Sequence, residues 1–178
     1  VREGDRLATL RGSAMEAPVP PASGTRGALR VLDALVRWYT APPSDDLGLA
    51  FALDHAARVL RPGSRLLVLA DPHSLMSIPE SRWPALAAHH DVIVLLLTDP
   101  LETAPPAQRL PFVVGSQRVD LDLASDTQRE AWRAEFQQPL ERALERLPAR
   151  GVQVRTLSTD APSDAWLVAL GRAQPQVA

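Results

Sequence analysis

The sequence predicts an α/β fold, three layers deep, in which a mostly parallel sheet is flanked by helices. Two observations lead there. The first is a pair of short apolar runs, Leu66 to Ala70 and Val92 to Leu97, each preceded by a helical stretch and each closed by Asp-Pro, at Asp71-Pro72 and Asp99-Pro100. A run so short and so apolar suits a strand covered on both faces, where no alternation with polar residues is needed. Two such units in succession suit parallel neighbours joined by a crossover. The second observation is the helical spacing of apolar residues in the segments between. Leu66 to Ala70 reads as the central strand. Pro72 has no amide hydrogen and biases Asp71 away from helical angles, so the strand stops there. The Asp71 carboxylate is left at its carboxyl end, the edge where open α/β sheets bind ligands.

Taken in order, Gly4-Asp5 is a turn signal before a short strand at Arg6 to Arg11. Ala14 to Gly24 holds Pro18, Pro20 and Pro21, which permits only an edge strand or an extended loop. Ser23 or Thr25 can cap a helix over Arg26 to Tyr39, where Leu29, Leu32, Leu35 or Val36, and Tyr39 recur at helical spacing. Ser44, Asp45 or Asp46 can cap the next, whose stripe is Leu49, Leu53, Ala56 and Leu60. Pro62-Gly63 ends it and feeds the first apolar run. A loop at His73 to Pro79 and a short helix from about Glu80 to His89 lead to the second run. Leu101 to Gln108 reads as proline-rich loop. Leu110 to Leu123 reads as a hairpin about Gly115-Ser116, with Val119, Leu121 and Leu123 alternating against charged residues. The longest helix begins at Ser125 or Asp126 and carries Pro139, which should bend it. Gly151 ends that helix, Val152 to Leu157 is a third parallel strand, and Ser163 to Gly171 is a last short helix.

A length of 178 residues suits one domain with a real core. The hydrophobic share of 46%, the charged share of 22% and the net charge of -2 give no general attraction to nucleic acid or anionic lipid. With no cysteine, disulfides, thiol nucleophiles and thiolate metal sites are excluded. No apolar run reaches the roughly 18 to 20 residues of a membrane span. The chain is therefore expected to be a soluble, cytoplasmic domain. Because it opens at Val1 and enters a strand almost at once, it is also expected to be a fragment of a longer protein, with room upstream for a membrane anchor.

The order of these elements, together with L-R-P-G-S-R-L-L-V-L-A-D-P at Leu60 to Pro72, H-D-V-I-V-L-L-L-T-D-P-L-E at His90 to Glu102 and S-T-D at Ser158 to Asp160, resembles the bacterial domain-of-unknown-function 58 family. Members of that family look like von Willebrand factor A domains. The resemblance implies a von Willebrand factor A-like sheet lacking its first strand and carrying an added β-hairpin. It also implies a metal-ion-dependent adhesion site at the carboxyl edge. Of the motifs for that site only the aspartate after the fourth strand maps here, onto Asp71; the chain contains no D-x-S-x-S, and Ser44-Asp45-Asp46 stands where a threonine is expected. Mg²⁺ or Mn²⁺ is thus expected only if upstream ligands complete the set. The family's association with AAA-type ATPases implies a non-enzymatic protein-interaction role in the assembly or maturation of partner proteins. A missing strand would leave the edges of Arg6 to Arg11 and Leu66 to Ala70 unpaired, implying self-association or a rearranged N-terminal segment.

Asp71, Asp99 and Asp160 each follow a parallel strand, so they are expected to share one rim. Three carboxylates there suit a divalent cation, and a metal-dependent phosphoesterase or nuclease is the alternative function. Against it stands ordinary turn chemistry, in which Asp caps nearby amides; this is the first reading of Asp99 and Asp160. His73 and Ser74 complete the candidate binding set beside Asp71, although a solvated loop histidine is the first reading of His73, since a metal site wants partners at defined spacing and none are nearby in sequence. Gly24-x-x-Gly27 lacks the context of a nucleotide-binding loop. The arginines and glutamates alternating from Arg129 to Arg146 read as a solvated helix face, not a nucleic-acid stripe.

Overall fold

A computed structural model describes residues 4–41, 44–162 and 164–165, and the chain forms two compact units, Val1–Arg61 and Pro62–Ala178. In the first, β1 (Arg6–Thr9) pairs antiparallel with β2 (Val19–Ser23) across a bulge between Leu7 and Thr9. The prolines of β2 are tolerated because only one of its edges is in the ladder. Helix α1 (Gly24–Thr40) follows directly, then α2 (Gly48–Val59). Gly27 and Ala34 are the buried residues of α1, and an added Cβ at Gly27 would lie 2.1 Å from the Ala22 carbonyl oxygen, so only a glycine lets the helix rest this close to β2. Ala52, Leu53 and Ala56 are the buried stripe of α2.

The loop after β1 is held by a carboxylate. Ser13 is 1% exposed and donates its hydroxyl to Asp45 at 2.7 Å, while the amides of Ala14 and Met15 donate to the other carboxylate oxygen at 2.8 and 3.1 Å. These donors, the Ser13 hydroxyl foremost, hold the Asp45 carboxyl below its ordinary range. Asp45 is therefore not the expected helix cap. Asp46 accepts from the Gly48 amide at 2.9 Å instead. Trp38 of α1 donates to Glu16, and the Arg11 guanidinium sits 5.2 Å over the Trp38 ring and 3.4 Å from Glu16.

The second unit is built on β3 (Arg65–Ala70), β4 (Asp91–Thr98) and β7 (Gln153–Ser158), a fully parallel three-stranded sheet in the order β3-β4-β7. Between β3 and β4 lie a 3-10 turn at Ser74–Ser77 and helix α3 (Arg82–Ala87). After β4 come α4 (Pro100–Thr103) and the hairpin of β5 (Arg109–Val114) and β6 (Gln117–Asp122). A long helical stretch then runs as α5 (Asp126–Trp132), a π turn at Arg133–Gln137 and α6 (Gln138–Arg146). The expected effect of Pro139 takes this form. With no amide hydrogen, and with its ring crowding the carbonyl four residues back, it widens the preceding turn into a π bulge. Glu80 binds both Arg146 and Arg150, the latter at 2.7 Å, clamping the end of this stretch. Gly151 follows a 3-10 turn at Pro148–Arg150 and takes φ 78° to turn the chain into β7.

Two expectations need correction. Leu66 to Ala70 is not the central strand; β4 is, with Val92 to Leu96 all buried. β3 lies at the sheet's edge and is covered on one face only. Val68 and Ala70 are buried, whereas Leu67 and Leu69, pointing the other way, are 36% and 57% exposed. The leucine stripe of α1 is the second. The helix forms where its periodicity predicts, but Leu29, Leu32, Leu35, Val36 and Tyr39 are exposed, because the helix docks through its small residues, where backbones can approach closely. The expected last helix, Ser163 to Gly171, lies outside the described residues apart from a turn at Asp164 and Ala165. No helix among the described residues is long and apolar enough to cross a membrane.

Candidate functional site

Parallel pairing puts the carboxyl ends of β3, β4 and β7 on one edge, so Asp71, Asp99 and Asp160 do emerge along a common rim, with His73 and Ser74 just beyond β3. Register then separates them. Ala70 lies opposite Leu96, so Asp71 is level with Leu97 and two residues short of Asp99, about 7 Å along the strand direction. Thr98 lies opposite Ser158, which brings Asp99 level with Thr159.

Each carboxylate is engaged by donors close by. The Ser74 amide donates to one Asp71 oxygen at 2.9 Å and the Ser74 hydroxyl to the other, which starts the 3-10 turn. Partial burial raises the Asp71 carboxyl's pKa, but the Ser74 hydroxyl and amide outweigh it and leave the group below its ordinary value. Asp99 accepts from the Leu101 amide at 2.8 Å and Glu102 accepts from the Asp99 amide at 3.3 Å, a capping box that opens α4. Its second oxygen accepts from the Thr159 hydroxyl at 2.9 Å, while the Thr159 amide donates to the Thr98 carbonyl at 2.9 Å. Asp99 thus ties the end of β4 to that of β7. Asp160 accepts from the Ser158 hydroxyl. His73 is exposed, with its Nδ1 3.8 Å from Glu135, itself exposed.

Among the described residues no group of three or more His, Asp or Glu side chains is placed to hold a metal ion. The donor set as it stands therefore does not fit Mg²⁺ or Mn²⁺, which want several oxygens at one point. What the rim offers is a row of acidic turns. Sequence reasoning noted Glu102 and Thr159 only within the motifs that carry the family resemblance and Asp45 only as a helix cap, and assigned none of them, nor Ser13, the role found here. The first was legible, since D-P-L-E at Asp99 to Glu102 is an Asp-x-x-Glu capping pattern with proline at the first helical position, where a proline-rich loop was expected. Thr159 and the Ser13–Asp45 pair depend on long-range pairing and carry no local signal.

The engagement of Asp71 sets a pH-dependent expectation. A carboxyl whose pKa is lowered by folding adds stability that is complete above its ordinary value of 3.8 and is lost as pH falls through the folded-state value. Asp71→Ala should cost about 1 kcal/mol or less at neutral pH, since the group is largely exposed and screened. In urea titrations the gap between wild type and variant should narrow steadily below pH 4. A gap independent of pH would show that the carboxylate is not what Ser74 stabilises.

Compared with known protein families, residues 1–146 match the family described as Protein of unknown function DUF58. No curated protein and no solved structure matches the chain.

Proposed function

The chain belongs to the family of proteins of unknown function DUF58, and from that premise we propose that it is a von Willebrand factor A-like, non-enzymatic interaction domain. On this reading it assists the assembly or maturation of partner proteins together with an AAA-type ATPase. The observation that carries the reading is the open apolar face of α1. Leu29, Leu32, Val36 and Tyr39 follow one another at spacings of three, four and three, with Leu35 beside them, and Tyr39 is 90% exposed. Isolated exposed leucines are ordinary, but a contiguous stripe along a helix is the surface that helix-in-groove recognition uses. The turn chemistry that engages Asp71, Asp99 and Asp160 also supports a binding role over hydrolysis, because a catalytic carboxylate has to be available to its metal or water.

The test is co-purification of this chain with an AAA-type ATPase, set against the double variant Leu32→Glu/Val36→Glu. Both positions are exposed, so the fold should be kept while retention of the ATPase falls at least about tenfold, which corresponds to 1.4 kcal/mol. Equal retention would remove the helix face from the interaction. Turnover of a generic phosphoester with Mg²⁺ or Mn²⁺ that disappears in Asp71→Ala would replace this reading with the hydrolase.

A further inference from the structure

The hairpin of β5 and β6 is a sheet of two strands whose outer edges differ in chemistry. In an antiparallel pair, successive residues point their backbone amide and carbonyl alternately toward the partner strand and away from it. The Leu123 amide donates to the Gln108 carbonyl at 3.1 Å, so Leu123 and, in steps of two before it, Leu121, Val119 and Gln117 turn these groups toward β5. The outward groups are those of Arg109, Pro111 and Val113 on β5 and of Arg118, Asp120 and Asp122 on β6. Pro111 has no amide to offer, which closes the β5 edge to a further strand. On β6 the Asp122 amide already donates to the Gln128 side chain at 2.6 Å. Arg118 and Asp120 are left, two exposed residues whose outward backbone groups meet no partner among the described residues.

The side chains along this edge select what fits it. A second β6 laid antiparallel keeps each side chain on its own face, so the two-fold axis between the copies must pass through a residue and not between two. At Arg118 or at Asp120 the axis would set a charge against its own copy. At Val119 it sets Arg118 opposite Asp120 twice, at the positions where the two strands would exchange four amide-to-carbonyl hydrogen bonds. On the other face the two Val119 side chains meet, and Leu121 lies opposite Gln117. Cross-strand pairs of opposite charge and of apolar side chains stabilise a sheet, and like charges directly opposite destabilise it. Within one strand Arg118 lies 3.5 Å from Asp120, so each would gain a second opposite charge.

We propose that two copies of this chain associate through the outer edge of β6, antiparallel about Val119, joining two hairpins into one sheet of four strands. The contact is far smaller than the roughly 800 Å² per partner of a standard stable complex, so the dissociation constant is on the order of 100 µM. The contact uses none of the α1 residues and is independent of that helix's role.

Sedimentation velocity over a concentration series tests this. Wild type shifts from monomer toward dimer and is mostly dimeric at about 500 µM. Arg118→Asp and Asp120→Arg, each creating two like-charge pairs, weaken association about tenfold or more. An equal mixture of the two recovers it, because every facing pair in the mixed dimer is again opposite in charge. Asp120→Pro abolishes the dimer by closing this edge as Pro111 closes the other, at a site that makes no ladder bond within the hairpin. Amide hydrogen exchange of the wild type needs no variant to fold: the Arg118 and Asp120 amides slow as concentration rises, while the Val113 amide on the opposite edge does not. A wild type that stays monomeric at the highest concentration overturns the proposal, as does a dimer in which those two amides exchange no slower. So does a dimer kept by a folded Asp120→Pro, or one that folded reversal variants leave unchanged or fail to restore on mixing.

Discussion

Leu96→Ala is expected to lower the unfolding free energy of the second unit by about 3 kcal/mol, within the 2 to 5 kcal/mol found for buried leucines. Leu96 is 0% exposed at the centre of β4, between a strand on either side, so the deleted carbons leave a cavity that neighbouring strands cannot move to fill. The loss combines the transfer free energy of those carbons with the contacts their neighbours no longer make. The informative control is Leu69→Ala on β3. Its side chain is 57% exposed, and it should change stability by no more than about 0.5 kcal/mol. Urea denaturation followed by fluorescence of Trp83 and Trp132, both buried in this unit, reads the effect. Equal losses at both positions would mean that β3 is covered on both faces, against the exposure described here.

The second large effect runs against intrinsic propensity. Alanine in place of glycine favours a helix by about 1 kcal/mol, so Gly27→Ala in α1 ought to stabilise. The expected outcome is a net loss of about 2 kcal/mol, because the new Cβ would stand 2.1 Å from the Ala22 carbonyl oxygen and 2.6 Å from its carbon, and backbone cannot yield as a side-chain tip can. Relief requires α1 to lift from β2, which uncovers the strand and disturbs the Trp38 contacts with Glu16 and Arg11. Fluorescence of Trp38 during denaturation tests this in the first unit. A Gly27→Ala variant more stable than wild type would show that the helix does not approach β2 this closely.

Local chemistry accounts for what was legible. The two apolar runs closed by Asp-Pro are strands, they are parallel neighbours, and the third strand joins them through β4, as the pattern of short apolar segments following helices indicates. The hairpin turns at Gly115-Ser116, the only glycine in that stretch. Pro139 perturbs its helix for the reason its missing amide predicts. The rim of aspartates was likewise foreseeable, since parallel strands necessarily point their carboxyl ends the same way. Whether three carboxylates that share a rim also share a point is a matter of register, and register is set by pairing between segments far apart in sequence. Asp71 ends two residues short of Asp99 and each acid found a hydroxyl or amide within a few residues or across the rim, so the common edge did not become a common site.

By itself the amino-acid sequence determined the order of the main strands and helices and that the main sheet is parallel, because these follow from backbone preferences and short-range periodicity, and its motifs resembled the family whose model it matches. Only the tertiary structure decided that β4 and not β3 is enclosed, that α1 rests on its glycine and alanine while its leucines face outward, and that the aspartates serve turns. Periodicity identifies an apolar face but not what meets it; that depends on which other surfaces the folded chain brings close enough to exclude water.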